Sequence, residues 1–196
     1  MPVLYYVTHP QVQVDANIPV PDWGLSDIGR ARAIAMLDQP WVGPILRIVS
    51  SAERKAVETA EILATHLRLA IEVRARMHEN DRSATGFLPP PEFEAVAHQF
   101  FANPHKSIRG WERAIDAQHR IVSEVEAVLG TADGDDIAVI GHGGVGTLLL
   151  LSLSGREISR EADQPAGGGN YFAYDIRARH VVHEWQPIDA PERRDG

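Results

Sequence analysis

Alternation is the feature that most narrows what this chain can fold into. Short apolar runs rich in β-formers (Val3–Val7, Ile45–Val49, Ile71–Met77 and Asp136–Ile140) are separated by stretches whose apolar residues recur at helical spacing. Ser26 is a helix N-cap before Ile28, Ala31, Ala35 and Met36 or Leu37, and Pro40 ends that helix. Ser50 and Glu53 form a capping-box pattern ahead of a helix reaching about Leu67, with Ala56, Ala60, Leu63 and Leu67 inward. A short helix is expected near Glu92–Phe101, a long amphipathic one over Glu112–Leu129, and another over Val145–Leu153. Tyr171–Tyr174 and Val181–Trp185 read as two further strands. This order predicts an α/β three-layer sandwich, a mainly parallel sheet with helices on both faces. Residues 1–190 are expected to form one domain, with 80–111 as a lid or insert and 191–196 as a loose tail.

Composition removes several classes. Hydrophobic residues at 44% and charged residues at 23% exclude a disordered chain, a collagen and a simple coiled coil. A net charge of −8 without a basic tract argues against a nucleic-acid partner, and any anion site must be local. No apolar run is long enough to span a membrane, so no membrane partner is expected. The absence of cysteine removes disulfides, thiolate nucleophiles and Cys-based zinc sites. The N-terminus lacks a basic n-region and reads as a strand, so a cytoplasmic location is the default expectation. Apolar residues near the chain's end are compatible with a homodimer.

In a doubly covered parallel sheet, ligands sit beyond the carboxyl ends of the strands. His9 arrives there after the first strand, Glu79 after the third, and His142 after the strand at 136–140. Gly143 and Gly144 open a helix whose backbone N–H groups suit an anion. Neutral imidazole is a good nucleophile towards phosphorus, and a nearby carboxylic acid can protonate the leaving oxygen and later activate water. The run Gly141-His142-Gly143-Gly144-Val145-Gly146, with Glu161 beyond it, also matches the dinucleotide-binding fingerprint in form. The context opposes that reading, because no strand leads to Glu161 and about 50 residues remain after the motif.

On these residues the sequence resembles the histidine phosphatase superfamily, phosphoglycerate mutase-like branch, from roughly Val3 to Tyr174. The family's opening Arg-His-Gly corresponds to Thr8-His9-Pro10, and its Leu-Ser/Thr-x-x-Gly helix start to Leu25-Ser26-Asp27-Ile28-Gly29. Its Ser-Ser-x-x-x-Arg-Ala-x-x-Thr-Ala signature runs in register from Ser50 to Ala60, with Lys55 at the arginine position. The resemblance implies His9 as phosphorylated nucleophile, Glu79 as acid and base, and His142 as the second pocket histidine. It further implies a small phosphorylated substrate and chemistry needing neither metal nor cofactor.

Thr8 offers one hydroxyl where the family has a guanidinium, Pro10 lacks the N–H of glycine, and Lys55 loses bidentate geometry. Loss of one preorganised donor costs about 10²–10³ in rate, so a binder without turnover is the alternative to a hydrolase. Retention of a phosphohistidine, as in a mutase, needs more charge than this pocket keeps. Helix spacing puts Lys55 with Thr59 and Ile62, and Arg54 with Glu58 and Glu61. Lys55 is therefore the expected pocket cation and Arg54 the alternative. Thr8 and Gly143 complete the expected phosphate-binding set. Arg82, Lys106 and Arg109 are cations of the expected lid, whose Phe87, Phe93, Phe100, Phe101 and Trp111 are expected to pack it.

Overall fold

The computed structural model describes residues 1–190; the tail expected over 191–196 lies outside the described residues. The elements follow as β1 (Val3–Thr8), α1 (Asp27–Ala35), β2 (Ile45–Ser51), α2 (Arg54–Leu67), β3 (Ile71–Arg74) and α3 (Pro90–Ala102). Then come α4 (Ala114–Leu129), β4 (Asp136–Gly141), α5 (Gly143–Leu153), β5 (Asn170–Asp175) and β6 (His180–Pro187). The strands form one sheet in the order β3-β2-β4-β1-β5-β6. Pairs β1–β4, β2–β4 and β2–β3 are parallel, while β5 runs against β1 and β6 against β5.

Strand residues alternate between the two faces of a sheet. Leu4, Tyr6, Ile137 and Val139 point to the face covered by α3, α4 and α5. Val7, Ala138 and Ile140 point to the face covered by α1 and α2. This is the expected three-layer arrangement. The uniformly apolar α5 is buried continuously from Val145 to Leu151, as a helix without a polar face must be.

Three local expectations are corrected. In α1 the inward stripe is Gly29, Ala33 and then Met36, whereas Ile28 is 66% exposed. Gly29 permits this rotation, because a Cβ there would lie 2.0 Å from the Gln11 carbonyl oxygen. The Ser26 cap forms as expected, its Oγ accepting from the Gly29 N–H at 3.1 Å. Second, Ser50 does not cap α2. It pairs with Ile140 and Val73 inside the sheet, so the helix begins only at Arg54 with Glu53 in the capping position. Third, β3 ends at Arg74, and Ala75–Met77 form a 3₁₀ turn that delivers His78 and Glu79. In residues 80–111, Pro90 and Pro91 open α3, a position where a missing N–H costs nothing. Phe93 and Phe100 pack on Trp111, as expected of the segment's aromatics.

The register sets up everything functional. Thr8 pairs with Gly141 and Ser50 with Ile140, so His9, Ser51 and His142 leave the carboxyl edge side by side. Two glycines of the Gly141–Gly146 run serve packing: added Cβ atoms would lie 2.3 Å from Tyr6 Oη at Gly141 and 2.5 Å from Tyr6 Cε1 at Gly146. Helix propensity alone would favour alanine at Gly146 by about 1 kcal/mol, but overpacking costs roughly 1–3 kcal/mol. Gly146→Ala is therefore expected to lower stability in chemical denaturation; a gain would contradict the tight seat on Tyr6.

Candidate active site

His9 and His142 meet at the carboxyl edge of the sheet with ring centroids 5.3 Å apart and planes inclined at 67°. The His9 backbone N–H bonds the Gly141 carbonyl at 3.1 Å, continuing the β1–β4 ladder past the last strand residue. Its Nδ1 lies 2.9 Å from the Pro10 carbonyl. A carbonyl only accepts, so Nδ1 carries the proton and Nε2 is left with a lone pair. Burial, reinforced by the neighbouring His142, depresses the His9 pKa to about 3.

His142 is fully buried. Its Nε2 lies 2.8 Å from Ser51 Oγ and 3.7 Å from Glu53 Oε1, and its Nδ1 has no partner among the described residues. Burial lowers its pKa against the opposing pull of Glu53 and Glu79. Tyr6 Oη brackets the residue's backbone, donating to its carbonyl at 3.1 Å and accepting from its N–H at 3.2 Å.

Glu79 sits at the N-terminus of α5. Its carboxylate accepts from the N–H groups of Gly144 at 3.0 Å, Val145 at 2.9 Å and Asn80 at 3.0 Å. Burial acts to raise its pKa. His142, Arg82 and these amides outweigh that effect and hold the carboxyl below its ordinary value. The helix-terminal anion site is thus occupied by this carboxylate at Gly144 and Val145. The Gly143 N–H bonds none of the described residues. Arg120 fixes the segment from behind, donating to the carbonyls of Arg76 at 2.8 Å and His78 at 2.9 Å.

Lys55 is buried as expected, yet its ammonium is already engaged: Nζ lies 2.5 Å from Glu53 Oε2 and donates to the Val20 carbonyl at 2.7 Å. Glu53 also accepts from the Glu79 N–H at 2.9 Å. Burial acts to raise the Glu53 pKa, but His142, Lys55 and the Glu79 amide hold it down to about 2.

Two of the expected phosphate ligands are corrected. Arg54 points to solvent and bonds Glu58 at 2.7 Å, the i,i+4 partner on the polar stripe. The Thr8 hydroxyl is fully buried and bonds Gln164 Oε1 at 2.7 Å, so it cannot touch a ligand directly. Of the cations in residues 80–111, Arg82 lies over the rings of Phe93 and Trp111 with Cζ at 5.1 and 5.7 Å and lines the cleft. Arg109 is paired with Glu92 and Lys106 is exposed, both away from it.

The cleft over His9 has a volume of about 610 Å³, with Glu79, Asn80, Arg82, Gly143 and Gln164 in its walls. Asn80 is buried, and its Nδ2 has no partner among the described residues. Glu53, Asn80 and Gln164 escape the sequence reading. Asn80 directly follows Glu79, which could have drawn it in. Gln164 carries no local signal beyond the three glycines after it.

Two imidazoles and a carboxylate thus gather at the carboxyl edge of a doubly covered α/β sheet. The chain belongs to the histidine phosphatase superfamily, branch 1, whose family model matches residues 4–180. No curated protein matches the chain. A mycobacterial glucosyl-3-phosphoglycerate phosphatase solved with inorganic phosphate is similar at 19% identity, over 97% of this chain and 100% of that one, with a TM-score of 0.80. Bacillus stearothermophilus YhfR is similar at 20% identity, over 97% and 98% of the two chains, with a TM-score of 0.79. Entamoeba histolytica phosphoserine phosphatase in complex with 3-phosphoglyceric acid is similar at 14% identity, over 97% and 100%, with a TM-score of 0.78. At these identities the likeness establishes the fold. Among the described residues no helix is long and apolar enough to cross a membrane.

The depressed pKa values fix a pH dependence. An unfolded histidine titrates near its ordinary 6.5, whereas folded His9 titrates near 3. Between those values the unfolded chain binds a proton that the folded chain does not, so stability falls as pH drops through this window. Glu53 adds its own loss only below its ordinary 4.5. Chemical denaturation between pH 6.5 and 5 is therefore expected to show declining stability, and His9→Asn to flatten the slope. An unchanged slope would contradict the burial of this ring.

Proposed function

We propose that this chain is a phosphomonoester hydrolase working through a phosphohistidine on His9. The observation that carries this reading is the free Nε2 lone pair of His9, set against His142 at 5.3 Å on the floor of the cleft. In the first step Nε2 attacks phosphorus and the bond to the ester oxygen breaks. The leaving oxygen takes a proton from Glu79. In the second step water attacks the phosphorus, Glu79 accepts its proton, the P–N bond breaks and orthophosphate departs. Glu79 is ionised in the free protein, but the charge of an entering phosphoryl group raises its affinity for a proton. Substrate binding thus loads the acid. Arg82, the unpartnered amide of Asn80 and the Gly143 N–H offset the charge that develops on the phosphoryl oxygens.

The substrate class is a small phosphorylated metabolite. A cleft of about 610 Å³ suits one, and two similar structures are phosphatases whose names specify glucosyl-3-phosphoglycerate and phosphoserine. Assay of an aryl phosphate is expected to give turnover without added metal, and His9→Ala to reduce it by roughly a thousandfold or more. Turnover that survives His9→Ala would overturn the assignment of the nucleophile.

One observation favours a second reading, a phosphate-ligand binder without turnover: the ammonium of Lys55 is taken up by Glu53. Phosphate binding with no hydrolysis across a broad panel of phosphate esters would support it, and a trapped phosphohistidine would eliminate it. Under either reading Glu53→Gln is expected to act in two opposed directions. It leaves Lys55 buried without its counter-charge, which destabilises by about 3–5 kcal/mol. It also frees that charge for an anion, so phosphate affinity measured by calorimetry is expected to rise. An unchanged or weaker affinity would show that Lys55 does not reach the ligand.

A further inference from the structure

We infer that Gln164, a residue outside the family-like motifs, binds the phosphoryl group through its side-chain amide, and that Thr8 positions it. This rests on the phosphoryl site proposed above.

The orientation of the Gln164 amide follows from its neighbours. The Asn170 Nδ2 faces the carbonyls of Pro165 at 3.1 Å and Gly168 at 3.2 Å, so that atom is a donor. The same Nδ2 lies 3.1 Å from Gln164 Oε1, which must therefore be the acceptor. Thr8 agrees. Its Oγ1 accepts from the Asn170 backbone N–H at 3.0 Å, and of its two acceptors Gln164 Oε1 at 2.7 Å is nearer than the Asn170 carbonyl at 3.2 Å. With Oε1 held by two donors, Nε2 is the outward end, and it bonds none of the described residues. That end lies against Gly143, where an added Cβ would come within 2.1 Å of Nε2. Gln164 and Gly143 line the same cleft as His9.

The segment carrying Gln164 is fastened to the nucleophile itself. The Gly169 N–H donates to the His9 carbonyl at 3.0 Å. Gly167, Gly168 and Gly169 have φ of 93°, 65° and 62°, the left-handed region that suits glycine. A Cβ at Gly168 would lie 2.4 Å from the His9 carbonyl oxygen. Arg32 clamps the outer side, donating to the carbonyls of Gly168 at 2.9 Å and Gly169 at 3.0 Å while pairing with Asp189 at 2.8 Å. Gln164 is thus held at the glycine end of its segment and at its own Oε1. A donor fixed in this way costs little reorganisation when charge develops beside it. An uncharged donor also suits a site that already balances Lys55 against Glu53.

The test compares Gln164→Ala, Gln164→Glu, Thr8→Val and Thr8→Ser with the natural chain, by calorimetric titration of inorganic phosphate and by inhibition with orthovanadate. Gln164→Glu keeps both inner hydrogen bonds and replaces only the outward donor, so it separates binding from folding. Loss of one hydrogen bond to a charged group predicts roughly 10- to 100-fold weaker binding for Gln164→Ala, and a larger loss for Gln164→Glu. Thr8→Val is expected to weaken binding by releasing the amide, and Thr8→Ser to recover what Thr8→Val loses. Thermal melts check that each variant is folded. Phosphate affinity unchanged in folded Gln164→Glu, with the natural chain binding normally, would overturn the role of Gln164 and leave the phosphoryl site standing. A folded natural chain that binds neither phosphate nor vanadate would overturn both.

Discussion

The structure depends on the parallel pairing of β1 with β4. One ladder joins residues near the start of the chain to residues beyond its middle, in the register that opposes Thr8 to Gly141. The His9 N–H extends that ladder by one more bond. A slip of one residue would turn every side chain of β1 to the opposite face. Tyr6 would then leave its seat against Gly141 and Gly146, and the two imidazoles would no longer meet. Core packing and chemistry are thus specified by the same contacts.

The distribution of charge around that meeting point is unusual for the phosphoryl site proposed. Two carboxylates, Glu53 and Glu79, lie within the site, and each is satisfied by local partners. The buried ammonium is held by one of them. Arg82 and Arg160 line the cleft beside Glu79, Glu94 and Asp163, together with neutral donors. Attraction at a distance is weak in such a site, and recognition falls to short-range, directional hydrogen bonds. Geometry therefore carries more of the selectivity here than net charge does.

Alternating apolar runs sufficed to read the layer order and most element positions, because burial on both faces leaves a strong mark on a parallel strand. His9 and His142 were legible because each immediately follows a strand that ends at the carboxyl edge, and Glu79 because it lies one short turn beyond the third. The errors have specific causes. Ile28 looks inward by hydropathy, but Gly29 offers closer approach to the Gln11 backbone and wins that face. Ser50 looks like a cap, yet its place between two neighbouring strands keeps it extended. Thr8 looks like a weakened ligand, whereas its hydroxyl turns away to Gln164, a partner 156 positions distant. Glu53 was invisible as a site residue because nothing in the local sequence says that the helix begins late enough to leave it in the capping position.

Arg32 joins two regions that no motif connects. Through one guanidinium, Asp189 near the end of the described chain is tied to the carbonyls of Gly168 and Gly169, the latter of which donates its N–H to the His9 carbonyl. The residues just past the last strand are therefore structural parts of the candidate site's floor. Trimming the chain back past Asp189, or loading its terminus with a bulky fusion, would loosen the glycine hinge first. Chemistry would suffer before the core did.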